Sequence, residues 1–517
     1  MPQSNDQLSQ ENASLQARIC ELQIQLREAL NGNVELRAQL TDLQLKLDAL
    51  IIQLDKRNRR DFGKKTERHN PRQAPTTGID KATNNGSKNK NHQKHIHWQN
   101  LTTQPVPHTV KPEELLCPRC QVETEIVGHD VTYQLERLLG SIVRLEHQQE
   151  VRACPKCKEH IVTAEKPCPP IPGGLAGPCL LSDIIVSKFA DGQPNYRQEK
   201  IFKREQAIIP RSTQCDWVLA SSRTLEPLYE RLRFHVLSSK VIQTDDTEVK
   251  VQDREHENNI RKGKMTAYNG DEQHRSIVFD FSPNKSFAKN KEFLKDFKGF
   301  VQADAANGFD ALFEDGTKIE IGCGAHSRRK YFECQPVYAK ECDEILVIYR
   351  TLYAVEKEIR GKEPAEKLAK RQAKSKPIAD ELHQKLLALK DTLNPTSKLM
   401  EAVNYTLNHW IALTRFLDDP DFEIDNNACE RAIKDWVLVR KNALFVGSDA
   451  GGKAAAIHLS FMASCKRNNV DPLAYLTDVF TRINAMKTSE LDQLLPDRWV
   501  KGKTDLETKA PSACKPP

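Results

Sequence analysis

A chain of 517 residues, 38% apolar and 29% charged, is long enough for several domains with at least one sizeable core. Its net charge of +6 is unevenly spread: Lys56 to Lys94 holds twelve Lys/Arg against three acids, which leaves the rest of the chain slightly acidic. With no secretory leader and no apolar run near the ~18 residues of a bilayer span, the chain reads as cytoplasmic, nucleoid-associated and free of membrane, and its cysteines as reduced thiols or metal ligands.

Residues 8 to 54 repeat every seven, within an expected coiled-coil domain of residues 1–55. Leu8, Leu15, Leu22, Ala29, Leu36, Leu43 and Leu50 take the d position, while Asn12, Ile19, Leu26, Asn33, Leu40, Leu47 and Leu54 take a. This is the pattern of a coiled coil, and Asn at two a positions favours a parallel homodimer in one register. The competing reading is a hairpin broken at Asn31-Gly32. Residues 56–105 form a basic linker, poor in apolar residues, either a solvated tether or a contact for nucleic acid. It contains the string FGKKTER, Phe62 to Arg68.

Within 106–170 stand Cys117-Pro-Arg-Cys120 and Cys154-Pro-Lys-Cys157. Two such knuckles supply four thiolates for a structural Zn²⁺ in a zinc-ribbon-like module. The intervening VTYQLERLL and SIVRLEHQQEV read as a strand pair that would bring the knuckles together. Residues 178–236 read as a helical domain. There YRQEKIFKRE, a break at AIIP, and a helix capped by Ser212 suggest a helix-turn-helix-like DNA-binding unit, against the plainer reading of a basic helical spacer.

From 237 to 336 strands take over. Val241 to Val251 alternates, placing Asp245 on the apolar face and Asp246 among solvated charges. A carboxylate on a buried face requires a partner or a metal, which selects Asp245. Strands MTAY and SIVFDF follow, then helix SFAKNKEFLKDF, strand FVQAD with Asp304, a helix through ANGFDALF, and strand IEIGC. Three antiparallel strands, then helix, strand, helix, strand, is the order of a ribonuclease-H-like α/β core, in which the first and fourth strands adjoin and would set Asp245 beside Asp304. His326, Arg328, Arg329 and Lys330 close this part as candidate phosphate contacts. Residues 337–420 read as a helical insertion, 421–487 as the second part of the core, and 488–517 as a C-terminal tail.

Glu430 opens a helix in the second part and is the third candidate metal-binding acid. Its competing role is a capping box with Asn427. The nearby Arg431, Lys434, Arg440 and Lys441 suit a phosphate backbone, which favours the catalytic reading. Gly447 to Lys453 is a near miss to a phosphate-binding loop and reads as a turn joining strand to helix. The fold as a whole is thus a multidomain α+β chain.

The strings FGKKTER, CPRC with CPKC, PPIPGGLAG, QPNYRQEKIFKRE, QTDDTEV, QADAANGFDALF, GCGAHSRRKYFE, IDNNACERAI, RKNALFVGSDAGG, VDPLAYL and LLPDRW run in order over nearly the whole chain. In them the chain resembles transposases of the insertion sequence 66 family. The resemblance implies an Asp-Asp-Glu catalytic core with Asp245, Asp304 and Glu430 as its acids, and Mg²⁺ or Mn²⁺ as the cofactor. It also implies cutting and joining of double-stranded DNA at element ends and target, with accessory proteins of the same element as partners. The competing class is a non-enzymatic DNA-binding dimer, a repressor or architectural protein with an inactive core.

Overall fold

A computed structural model of the chain describes residues 5–61, 101–138, 141–256, 258–284, 286, 288–304, 310–314 and 316–500. FGKKTER with most of the basic linker (62–100), the AANGF string after Asp304 (305–309) and the tail from 501 lie outside them. Among the described residues no helix is long and apolar enough to cross a membrane.

Helix α1 (Asn5–Asp61) runs for 57 residues, about 85 Å at the helical rise. It passes through Asn31-Gly32 without a break, so the hairpin alternative falls, and it takes in the first cations of the expected linker, Lys56 to Arg60. Strands β1 (Thr103–His108), β2 (Glu125–Leu138), β3 (Ser141–Ala153) and β4 (Ile161–Thr163) form a small mixed sheet. β2 and β3 pair antiparallel along their length, as expected, while β1 runs parallel to β3 and β4 covers its end. Among the described residues β1 pairs only with β3, so Pro105 and Pro107, which lack an N–H, sit on an outer strand where the ladder tolerates them.

Three helices follow, α2 (Pro178–Phe189), α3 (Asn195–Arg204) and α4 (Arg211–Leu237). The expected cap at Ser212 is corrected: α4 begins at Arg211, two residues before the expected start, with Pro210 at the N-cap and no side-chain cap. Proline there already holds the extended conformation that leads into a helix (φ −58°, ψ 144°), so a hydroxyl cap is dispensable.

The second sheet holds β5 (Val241–Gln252), β6 (Ile260–Asn269), β7 (Ile277–Ser282), β8 (Gly299–Gln302) and β9 (Lys318–Ile321). Two short helices, α5 (Ala288–Phe293) and α6 (Asp310–Phe313), stand between β7 and β8 and between β8 and β9. The strand order is β7-β6-β5-β8-β9, with the first three antiparallel and β5, β8 and β9 parallel. The first and fourth strands of this sheet therefore adjoin, as its element order led one to expect.

Helices α7 (Gly324–Cys334), α8 (Ala339–Ile359), α9 (Pro364–Lys370), α10 (Lys376–Thr392), α11 (Lys398–Asn408) and α12 (Trp410–Thr414) come next, then α13 (Asn427–Ala443), α14 (Asp449–Arg467) and α15 (Pro472–Arg482). Packing divides the described chain into two compact units: α1 with α7 to α12, and everything else. In the helical unit, Ser327, Tyr349, Tyr331 and Thr406 share hydroxyl hydrogen bonds of 2.6–2.8 Å. The fully buried Arg371 makes a two-bond fork to Glu356 and donates to the Phe416 and Asp419 carbonyls. α1 docks on this unit through Ile52 and Asp48, the latter accepting from Tyr338 at 2.9 Å.

In the other unit α14 closes the open edge of the sheet. Ser460 and Ser464 accept the Phe279 and Ile277 amides at 2.8 and 2.9 Å. Four residues of helix and two of strand both advance roughly 6 Å, so the two hydroxyls match the two edge amides. An edge that could otherwise pair with another chain is thereby occupied. Residues 488–500, within the expected tail, pack onto the same unit: Leu491, Leu494 and Leu495 are buried, and Arg231 of α4 forks onto Asp492.

Candidate active site

β5 is the middle strand of five, and its first four residues, Val241 to Thr244, are buried on both faces. The simple alternation read from the sequence holds only further along, where Val249 and Val251 are buried and Lys250 and Gln252 exposed. Asp245 is the first residue past the doubly covered stretch and is half-buried. β5 and β8 pair in the register Val241↔Phe300, Ile242↔Val301, Gln243↔Gln302. Carried two residues past its last pair, that register would set Asp245 opposite Asp304.

Asp246 is not among solvated charges. It is half-buried and bonded to Lys264 Nζ at 2.9 Å, a buried lysine of β6. Asp246 stands opposite Thr266, so Lys264 is its diagonal neighbour on the same face of the sheet. Asp246 thus has a counter-ion of its own, whereas Asp245 accepts the Asp246 amide at 2.9 Å. Burial, and then the charges of Glu430, Asp246 and Asp304, push the Asp245 carboxyl up to about 7.

Glu430 lies in the first turn of α13 and does not complete a capping box. The N-cap is Asn426, not Asn427, and its side chain is committed elsewhere. Asn426 Nδ2 donates to the Thr244 carbonyl at 3.1 Å, and its Oδ1 accepts from the Cys323 thiol at 3.0 Å. The start of α13 is thus pinned to β5 at the residue before Asp245. The charges of Glu430 and Asp304 both reach the Asp245 carboxyl, a grouping of acids that suits divalent cations shared among them.

The candidate DNA contacts separate. On α13, Arg431, Lys434 and Lys441 share one exposed stripe with Leu438. Arg440 turns inward and donates to Thr247 Oγ1 and the Glu248 carbonyl, fastening α13 to β5. His326, Arg328, Arg329 and Lys330 lie on α7 of the helical unit, where Lys330 sits 4.2 Å from the Tyr405 ring centre. α3 exposes Tyr196, Arg197, Lys200, Lys203 and Arg204 on the side opposite its buried Asn195, Gln198 and Phe202.

The glycine segment is the start of a helix. Ser448 caps α14 by accepting the Gly451 amide at 3.1 Å. Gly452 lies against the Phe281 ring, where a Cβ would fall 2.6–2.7 Å from three ring atoms. ALFV forms no strand beyond a single bridge from Val446 to Val251. Within it Leu444 adopts φ +68°, ψ −47°, with the Phe445 amide bonded to the Ala443 carbonyl, a rare and strained γ-turn.

Cys117, Cys120, Cys154 and Cys157 bring their sulfurs within 4.8 Å of one another. The two knuckles share one design. Cys117 and Cys154 each accept the amide four residues on, from Gln121 and Lys158, and both of those residues have positive φ. The Cys117 and Cys157 sulfurs are 3.7 Å apart, against ~3.8 Å for two thiolates on a tetrahedral zinc. The Glu159 and His160 amides pull Cys157 down to about 6, while burial and the neighbouring sulfurs push Cys120 up to about 11. Thiols that oppose one another's ionisation in this way fit a divalent cation between them.

Three buried amide residues stand just ahead of the candidate acids: Gln243 and Gln302 two residues before Asp245 and Asp304, and Asn426 four before Glu430. The repeated Gln-x-Asp in QTDDTEV and QADAANGF was the available signal.

Residues 173–454 match the model described as the transposase IS66 family, and residues 460–496 match the IS66 C-terminal element. The chain is similar to three proteins of Sinorhizobium fredii (strain NBRC 101917 / NGR234) that bear the description uncharacterized protein. It is 31% identical to y4jD over 75% of this chain and 79% of that one. For y4hP the identity is 31% over 72% and 71%, and for y4qI 29% over 75% and 76%.

Proposed function

The chain belongs to the IS66 transposase family, and on that premise we propose that it cuts and joins the ends of an insertion sequence, with Asp245, Asp304 and Glu430 as its catalytic acids. The observation that carries the reading is the convergence of three distant elements. The β5–β8 register, carried two residues past its last pair, would align the first two acids, and the Asn426 amide holds the start of α13 to the same strand. The strand order β7-β6-β5-β8-β9 supports a ribonuclease-H-like core around them.

Three carboxylates are hard oxygen donors, and the mutual repulsion felt by Asp245 is what Mg²⁺ or Mn²⁺ would relieve. Bound there, divalent cations would supply an activated water or DNA 3′-hydroxyl and stabilise the leaving oxygen of an in-line displacement. Asp245, midway between the other two elements, would hold its charge toward both. The Arg431, Lys434 and Lys441 stripe would take the phosphate backbone, and the basic face of α3 with its following turn would serve as a helix-turn-helix-like DNA contact. The four cysteines would hold structural zinc.

The test is a joining assay on oligonucleotides carrying the element's ends, with Mg²⁺ and with EDTA. Asp304→Asn is expected to lower cleavage and joining at least a thousandfold while end binding stays within a few-fold of wild type. Equal activity of the mutant removes Asp304 from the mechanism. DNA binding without any metal-dependent product from the wild type would favour a repressor or architectural dimer.

A further inference from the structure

We propose that a one-way chain of buried side-chain amides, Asn269, Gln243 and Gln302, together with Asn426, positions the three acids relative to one another. The inference rests on the reading of Asp245, Asp304 and Glu430 as the metal-binding set. All four amide residues are 7% exposed or less. The chain starts at Arg467, whose Nη1 donates to Asn269 Oδ1 at 2.7 Å. Asn269 Nδ2 donates to Gln243 Oε1 at 3.0 Å, and Gln243 Nε2 donates to Gln302 Oε1 at 2.9 Å. Gln302 Nε2 ends the chain by donating to the carbonyls of Glu423 at 2.7 Å and Gly322 at 3.2 Å.

The direction of this chain is determined by its ends. A guanidinium can only donate and a backbone carbonyl can only accept, so every amide between them has one allowed orientation. Flipping any one of them would set donor against donor and acceptor against acceptor in a buried site, at roughly 1–3 kcal/mol for each group left unsatisfied. Linked hydrogen bonds of this kind also polarise and stiffen one another.

What the chain ties together is specific. Gln243 and Gln302 face each other across β5 and β8, two residues before Asp245 and Asp304. Residues 423–426 return from the helical segment Gly324–Pro420 and belong to neither strand. Gln302 grips the Glu423 carbonyl, Gln243 reaches the Asp425 carbonyl at 3.3 Å, and Asn426 donates to Thr244. Glu430 is one helical turn beyond. The ladder alone would keep Asp245 near Asp304; the amides set where the third acid stands.

The experiment measures Mn²⁺ binding to the full, zinc-loaded chain by electron paramagnetic resonance, without DNA. Wild type is compared with Asp304→Asn, Gln302→Met, Asn269→Leu and Thr406→Val, the last breaking a buried polar cluster in the helical unit as a control for general loss of packing. Gln302→Met is expected to weaken the tightest Mn²⁺ about tenfold and broaden its spectrum, with Asn269→Leu moving both in the same direction and Thr406→Val leaving both unchanged. If Gln302→Met does not fold, Asn269→Leu, on β6 rather than on an acid-bearing strand, carries the test. Wild-type Mn²⁺ affinity and spectrum in the folded amide variants would overturn the positioning role while leaving the acids in place. Mn²⁺ binding that is the same in Asp304→Asn as in wild type would overturn the reading of the acids, and the positioning role with it.

Discussion

His458 of α14 is fully enclosed against α2 and α4, stacked on Phe189 at 5.2 Å, with Nε2 bonded to the Val218 carbonyl at 3.0 Å. Burial pulls its imidazole down to about 4, and the nearby Lys188 adds to the effect. A base whose folded pKa lies below its unfolded value contributes its full stability above the ordinary value near 6.5, and loses it as pH falls toward 4. The melting temperature should therefore drop between pH 6.5 and 4, and His458→Gln should flatten part of that drop, on the order of 3 kcal/mol at full protonation. An unchanged pH profile in His458→Gln would remove this residue as a cause. Gly452 offers a second test at the same scale. Alanine would gain ~1 kcal/mol of helix propensity, yet its Cβ would meet the buried Phe281 ring at 2.6 Å. Overpacking of ~1–3 kcal/mol outweighs the gain, so chemical denaturation of Gly452→Ala should show net destabilisation. A more stable variant would mean that the ring yields easily.

At the scale of elements, the four-cysteine module has little core of its own, and a zinc ion held by its four sulfurs would supply the missing cross-link. Among the described side chains of its strands, Leu135, Ile142 and Val143 are the buried large apolar residues, and Ile126, Val127, Val131, Tyr133 and Ile161 are exposed. Removal of zinc by a strong chelator should raise amide hydrogen exchange across residues 103–163 by several orders of magnitude, while β5 to β9 keep their protection. Equal protection with and without metal would show that the hairpin stands alone. The helical unit relies instead on a buried charge. Arg371 satisfies Glu356 and two carbonyls at once, so the residue is irreplaceable by an apolar side chain of similar size unless Glu356 changes too.

For the whole molecule, α1 presents two faces with different fates. Asp48 and Ile52 are buried on the helical unit, while Leu22, Leu36, Leu40, Leu43, Leu47, Leu50 and Leu54 are 50–68% exposed. These leucines are the a and d positions of the heptad series, so the seam that a second copy would cover is left open. Light scattering of the full chain should report a dimer, and replacing Leu40, Leu43, Leu47 and Leu50 by serine should yield a monomer at micromolar concentration. A monomeric wild type would end the pairing proposal.

Regular periods were legible in the chain because they are local. The seven-residue repeat, the paired knuckles with strands between them, and the order of strands and helices from Val241 to Ile321 each follow from how neighbouring residues share a face. The family resemblance likewise rested on strings read in order. Residue partnerships were not legible, because they join positions far apart in sequence. Nothing near Asp246 announced Lys264, nothing near Arg440 announced the Glu248 carbonyl 192 residues away, and the cap moved to Asn426 because Thr244 was there to receive its amide. Sequence alone determined which elements exist and which acids were candidates. Tertiary structure decided which charged groups already had a partner and which three acids were brought to one end of the sheet, since a buried polar group is committed only when a distant segment supplies its hydrogen bond.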